Sequence, residues 1–104
     1  MERLDEKYEK MPHQAPLLSK APSEYVTGGS IYFSCELEEI ILPYVIGLGL
    51  AKKILYPSDY PHERPTLEEF LADIPHFRAR TDLSDETKKL ILRDNCRDFY
   101  ALQI

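Results

Sequence analysis

The sequence predicts an α/β fold organised around a strand–helix–strand unit, and three observations carry that prediction. Ser30-Ile31-Tyr32-Phe33-Ser34-Cys35 is a β-branched and aromatic run set off by Gly28-Gly29, the pattern of a strand. Leu37, Ile40, Ile41, Tyr44, Val45 and Leu48 then recur at the spacing of one helix face. Lys53 to Asp59 forms a second apolar run, continuous at its start, as parallel strands covered on both faces tend to be. Strand, helix and strand in that order make a βαβ unit, with Ile31 to Cys35 parallel to Ile54 to Asp59 and the helix of residues 38–48 crossing between them.

The remaining elements follow from local signals. Glu2 to Met11 reads as a short helix with Leu4, Tyr8 and Met11 on one face and a favourable Glu6–Lys10 pair, ended by Pro12. Pro12 to Gly29 contains Pro12, Pro16, Pro22, Gly28 and Gly29, which predicts a long irregular connection with one turn at Ser23-Glu24-Tyr25. Inside the crossing helix Pro43 costs about 3 kcal/mol if it sits in the interior, so the helix kinks or restarts there, and Gly47 and Gly49 mark its end. Thr66 and Glu69 form a capping box that opens a helix with Leu67, Phe70, Leu71 and Ile74 on its apolar face and Pro75 as its stop. Ser84 caps the last helix, Asp85 and Glu86 suit its dipole, and Leu90, Ile91, Asn95 and the Phe99-Tyr100 pair carry it to Leu102.

Composition bounds the function. At 104 residues the chain holds one domain at most. Its net charge of −5, with both signs mixed along the sequence, offers no basic stripe for phosphates, so nucleic acid is not an expected partner. No apolar run approaches the roughly 20 residues that span a bilayer, and Met1 to Lys7 lacks the apolar core of a secretory signal, so no membrane partner and a cytoplasmic location are expected. Cys35 and Cys96, too few and too far apart for a disulfide framework or a zinc knuckle, read as packed thiols.

The chemistry-bearing stretch is Ile54-Leu55-Tyr56-Pro57-Ser58-Asp59-Tyr60-Pro61-His62. It delivers an aspartate and a histidine three residues apart at the carboxyl end of a strand, where barrels and open α/β sheets keep their reactive groups. By spacing alone, an Asp-x-x-His pair reads as a strand-end turn before it reads as a metal site. The block Ser58-Asp59-Tyr60-Pro61-His62, however, resembles the last-strand motif of the amidohydrolase-related metal-dependent family, hydrolases and non-oxidative decarboxylases of the aminocarboxymuconate-semialdehyde decarboxylase type. Arg3-Leu4-Asp5-Glu6-Lys7-Tyr8 looks like the helix after that family's sixth strand. Pro22-Ser23-Glu24-Tyr25 looks like the connection into its seventh, and Leu83 to Asn95 with Phe99-Tyr100 looks like its closing helix.

The resemblance implies the C-terminal fragment of a (β/α)8 TIM barrel, its last two strands and flanking helices, since a whole barrel takes about 250 residues. It makes Asp59 a catalytic ligand of a divalent metal, zinc or manganese, and His62 a supporting catalytic residue. The substrate implied is a carboxylated small molecule, hydrolysed or decarboxylated. The family's His-x-His pair and middle-strand histidines have no counterpart here, and His13 and His76 lie outside any ligand motif. One carboxylate is not a site, because catalytic zinc usually takes three protein ligands. The chain alone is therefore expected to bind no metal and to be inactive. A truncated frame or one piece of a split enzyme is expected, partnered by the missing N-terminal barrel portion. The alternative is a non-catalytic module that self-associates through the open edges of its two-stranded sheet. Tyr56 and Tyr60 read as packing residues, and Glu63, Arg64, Glu24 and Tyr25 as solvated residues before substrate contacts.

Overall fold

Phe33–Ser34 (β1) and Ile54–Leu55 (β2) pair in parallel, Phe33 opposite Ile54 and Ser34 opposite Leu55, in a computed structural model that describes every residue except Glu63 and Arg64. The chain divides into two compact units, Met1–Tyr32 and Phe33–Ile104.

The first unit is helical. Helix α1 (Glu2–Lys10) forms as expected, with the Glu6–Lys10 pair made. A 3-10 turn at Pro12–Gln14 follows, and then α2 (Pro22–Gly28), a helix where the sequence suggested only a turn. The cause is local. Pro22 sits in the first turn, where its missing N–H is no loss, and the Glu24 carboxylate reaches back to accept the Ala21 N–H at 2.9 Å. Asp5 ties α1 to α2 by accepting the Ser23 N–H at 2.8 Å, and hydrogen bonding from the Ser23 side chain and then its backbone holds the Asp5 carboxyl below the usual carboxylate range.

In the second unit the parallel pairing stands, but the expected strand lengths do not. Beyond β1 the ladder gains the Cys35 N–H to Leu55 O bond at 3.3 Å, and the chain then turns, with the Glu39 N–H donated to Glu36 O at 3.3 Å. After β2, Pro57 has no N–H to offer a ladder. Upstream, Ala51–Lys53 coils into a 3-10 turn, so β2 starts only at Ile54. The expected fragment of a (β/α)8 barrel, two full strands with flanking helices, is therefore not what this chain forms. It is mostly helical, with two strands of two residues each among the described residues.

The connection between the strands is helical from Leu42 onward, not from residue 38. Residues 36–41 make turns, α3 (Leu42–Val45) begins with Pro43 in its first turn, and a π turn, Ile46–Leu50, follows. Pro43 thus starts the helix instead of kinking it. Gly49 ends it at φ 86°, a conformation glycine adopts without steric cost.

Helix α4 (Leu67–Ala79) opens on the expected capping box. Thr66 Oγ1 accepts the Glu69 N–H at 3.2 Å, and the Glu69 carboxylate accepts the Thr66 N–H at 3.2 Å. Pro75 does not stop it. The helix runs one more turn to bury Phe77, which is 1% exposed, and its inward face is Phe70, Ile74 and Phe77, not Leu67 and Leu71, which lie exposed. Burial of a whole aromatic ring contributes about 3 kcal/mol, enough to offset the cost of an interior proline. The last helical stretch runs through α5 (Asp85–Lys89), a π turn (Leu90–Asp94) and α6 (Asn95–Phe99), three residues short of Leu102. Cys35, Leu37, Leu42, Ile54, Phe77, Leu83 and Ile91 form the core of this unit.

Candidate functional site

The stretch that leaves β2 holds the sequence-predicted site residues at the surface. Asp59 is exposed, with φ 46°, a left-handed conformation that aspartate tolerates better than most residues. The Tyr60–Pro61 peptide is cis, and His62, also exposed, donates its N–H to Asp59 O at 2.8 Å, closing a turn. Asp59 and His62 are thus brought onto one turn beyond the carboxyl end of β2. Tyr60 packs its ring against Phe70, centroids 5.2 Å apart, which seats the turn on α4. Tyr56 packs on the core and donates its hydroxyl to Asp73 on α4 at 3.4 Å, so both tyrosines serve as packing residues. Glu63 and Arg64 lie outside the described residues.

Among the described residues no three His, Cys, Asp or Glu side chains converge as a metal site. A carboxylate such as that of Asp59 offers oxygens of the kind zinc and manganese accept, but a lone exposed carboxylate competes poorly with water for either ion. Among the described residues, none joins Asp59 in a group of three such side chains. Glu24 and Tyr25 belong to the first unit and have structural roles: the Glu24 cap, and Tyr25 Oη accepting the Ser19 N–H at 2.9 Å.

Asn95 fixes where β2 begins. It is 1% exposed, and its Nδ2 donates to Ala51 O and to Ile54 O, both at 2.7 Å. The two bonds clamp the 3-10 turn before β2 to the first residue of the strand. The sequence places Asn95 on the apolar line of its helix, one turn after Ile91, and a polar residue on a buried line is the available signal. Its acceptors lie more than forty residues upstream, which no local pattern encodes.

A cavity of about 340 Å³ opens beyond the carboxyl end of β1, between Leu37 and Glu38 after that strand and Asp73, His76 and Arg80 on or just past α4. Parallel strands put this opening on the same side of the sheet as the Asp59 turn. Arg80 closes it structurally. Its Nε and Nη2 donate to the two Asp82 carboxylate oxygens at 2.9 and 2.7 Å, and its Nη1 donates to Leu37 O at 2.7 Å. The bidentate pair raises the Arg80 pKa and lowers that of Asp82. With those donors committed, the guanidinium acts as a clamp holding the segment after β1 to the end of α4. Sequence reasoning missed it because Arg80 and Asp82 lie in a segment with neither periodicity nor motif.

Cys35 is buried and Cys96 half-buried, both as free thiols. Burial, with Glu39 and Glu36 nearby, pushes the Cys35 thiol up from its ordinary 9.0 to about 11. Cys35 should therefore resist alkylation at neutral pH until the chain unfolds, as timed maleimide labelling with mass spectrometry would show. Prompt native-state labelling at Cys35 would contradict its burial. The unfolded chain loses this proton first, so the stabilising contribution of the neutral thiol is complete below pH 9 and is lost as the pH rises from 9 towards 11.

No helix among the described residues is long and apolar enough to cross a membrane. No protein-family model matches this chain, and no curated protein matches it.

Proposed function

We propose that this chain contributes to a metal-dependent enzyme of the amidohydrolase-related kind, one that hydrolyses or decarboxylates a carboxylated small molecule. Its contribution is Asp59, as one ligand of a zinc or manganese ion whose other ligands come from outside these 104 residues. The observation that carries the reading is the parallel pairing of β1 and β2, with the Asp59–His62 turn emerging at the carboxyl end of β2. The buried Asn95 clamp and the Tyr60–Phe70 contact support it, since a metal ligand must be held in position by what surrounds it. His62 closes the turn that presents Asp59. A cytoplasmic setting suits two free thiols.

The test is purification of the tagged chain from its native cells. The expected companion is a larger polypeptide bearing a His-x-His pair, and the joined pair should bind zinc and turn over, both lost on Asp59→Ala. A joined pair that binds zinc equally well with Asp59→Ala would overturn the proposal.

A second reading, self-association, rests on the apolar side chains exposed along and before α3. Ile40 is 94% and Tyr44 70% exposed, beside a sheet whose described strands pair only with each other. Light scattering that finds a stable homo-oligomer, with no histidine-bearing companion, would favour it over the first.

A further inference from the structure

Positive charge gathers on one concave face of a chain whose net charge is −5. A hollow of about 380 Å³ lies between the end of α4 and the stretch from α5 into the following π turn, lined by Arg78, Lys88, Lys89 and Arg93 with Leu92 and a single carboxylate, Asp85, among the described residues. Even with Asp94 against Lys89 and Arg93, cations outnumber carboxylates four to two around the hollow, a surplus that an entering anion would offset.

We infer that this hollow binds a phosphoryl anion, either free phosphate or the phosphate of a small organic ester. Lys88 is the built part of the site. Its side chain is buried, and its ammonium donates to Arg78 O at 2.8 Å with Asp85 at 3.6 Å. An ammonium carries three donor protons, so Lys88 keeps capacity for a ligand oxygen, and its burial strengthens any such bond. Lys89 and Arg93 approach Asp94 at 3.3 and 3.9 Å, which orients them without using up their donors. Arg78 is exposed at the rim, where a guanidinium can grip two phosphate oxygens at once. The volume exceeds that of one phosphate, about the space of several waters, and so leaves room for a short organic group. The inference is independent of the Asp59 reading, which uses none of these residues.

Calorimetry on the full chain at low ionic strength, with inorganic phosphate, glycerol phosphate and pyrophosphate as separate titrants, tests it. At least one titrant should bind with a Kd below about 1 mM and weaken with added salt. Tighter binding of glycerol phosphate than of inorganic phosphate identifies an ester as the ligand, and the reverse identifies the free ion. Arg78→Gln should weaken binding about tenfold. Asp85→Asn, which removes the lone carboxylate from the lining, should tighten it about threefold, a gain that misfolding cannot mimic. Absence of binding by all three titrants, or affinity unchanged in both variants, would overturn the inference.

Discussion

Replacing Asn95 with leucine, which keeps the volume but removes the donors, should lower the stability of the chain by about 2–4 kcal/mol. The reason is not a lost polar attraction as such. Ala51 O and Ile54 O are both turned toward Asn95, and without Nδ2 each is left facing an apolar group inside the protein. A stranded carbonyl costs about 1–3 kcal/mol. Asn95→Asp should be worse than Asn95→Leu, since at neutral pH it offers two more acceptors and a buried negative charge to the same two carbonyls. Urea denaturation of the three proteins gives the ranking through the transition midpoints. A loss under 0.5 kcal/mol for Asn95→Leu would mean that β2 is held by other means, and that the clamp has no part in placing the Asp59 turn.

Phe77→Ala should cost about 3–5 kcal/mol, while Leu71→Ala, two turns earlier on the same helix, should stay within about 0.5 kcal/mol. Phe77 is 1% exposed and Leu71 60%, although both are large apolar residues on α4. The pair of variants asks whether α4 passes through Pro75 to seat Phe77 in the core beside Leu37, Ile54 and Ile91. A helix that stopped at Pro75 would leave Phe77 in a connecting segment and reverse the order of the two effects. Thermal melts of both variants decide between these arrangements.

These two residues also mark where the sequence was readable and where it was not. Signals contained within four residues came through: the Thr66–Glu69 box, the Ser84 cap, the Gly49 end of the crossing helix and the Glu6–Lys10 pair are all present. The parallel relation of the two strands also came through, because a helix-length apolar segment between two apolar runs leaves few other arrangements. What failed depended on distant partners. The local cost of Pro75 predicts a helix end there, and the core contact of Phe77 overrides it. Composition points to two longer strands, whereas their lengths are set by the turn that follows Cys35 and by Pro57, which breaks the ladder. Composition at residues 12–29 predicted irregular chain, and a back-reaching Glu24 made a helix there instead. At the candidate site, the motif named Asp59 and His62 and placed them at a strand end. Asn95 and the Arg80–Asp82 clamp, which position the surrounding segments, bond to residues 41 or more positions away and leave only the faintest local trace.

The role proposed for Asp59 is that of one ligand in a site shared with groups beyond this chain. Titration calorimetry of zinc and of manganese into the purified 104-residue protein, alongside Asp59→Ala, tests that most directly. The prediction is a Kd of about 1 mM or weaker for both metals, little changed by the substitution, because useful affinity needs three or four ligands already in place. Micromolar binding by the chain alone, abolished in Asp59→Ala, would contradict it and place the missing ligands within this chain or its own oligomer.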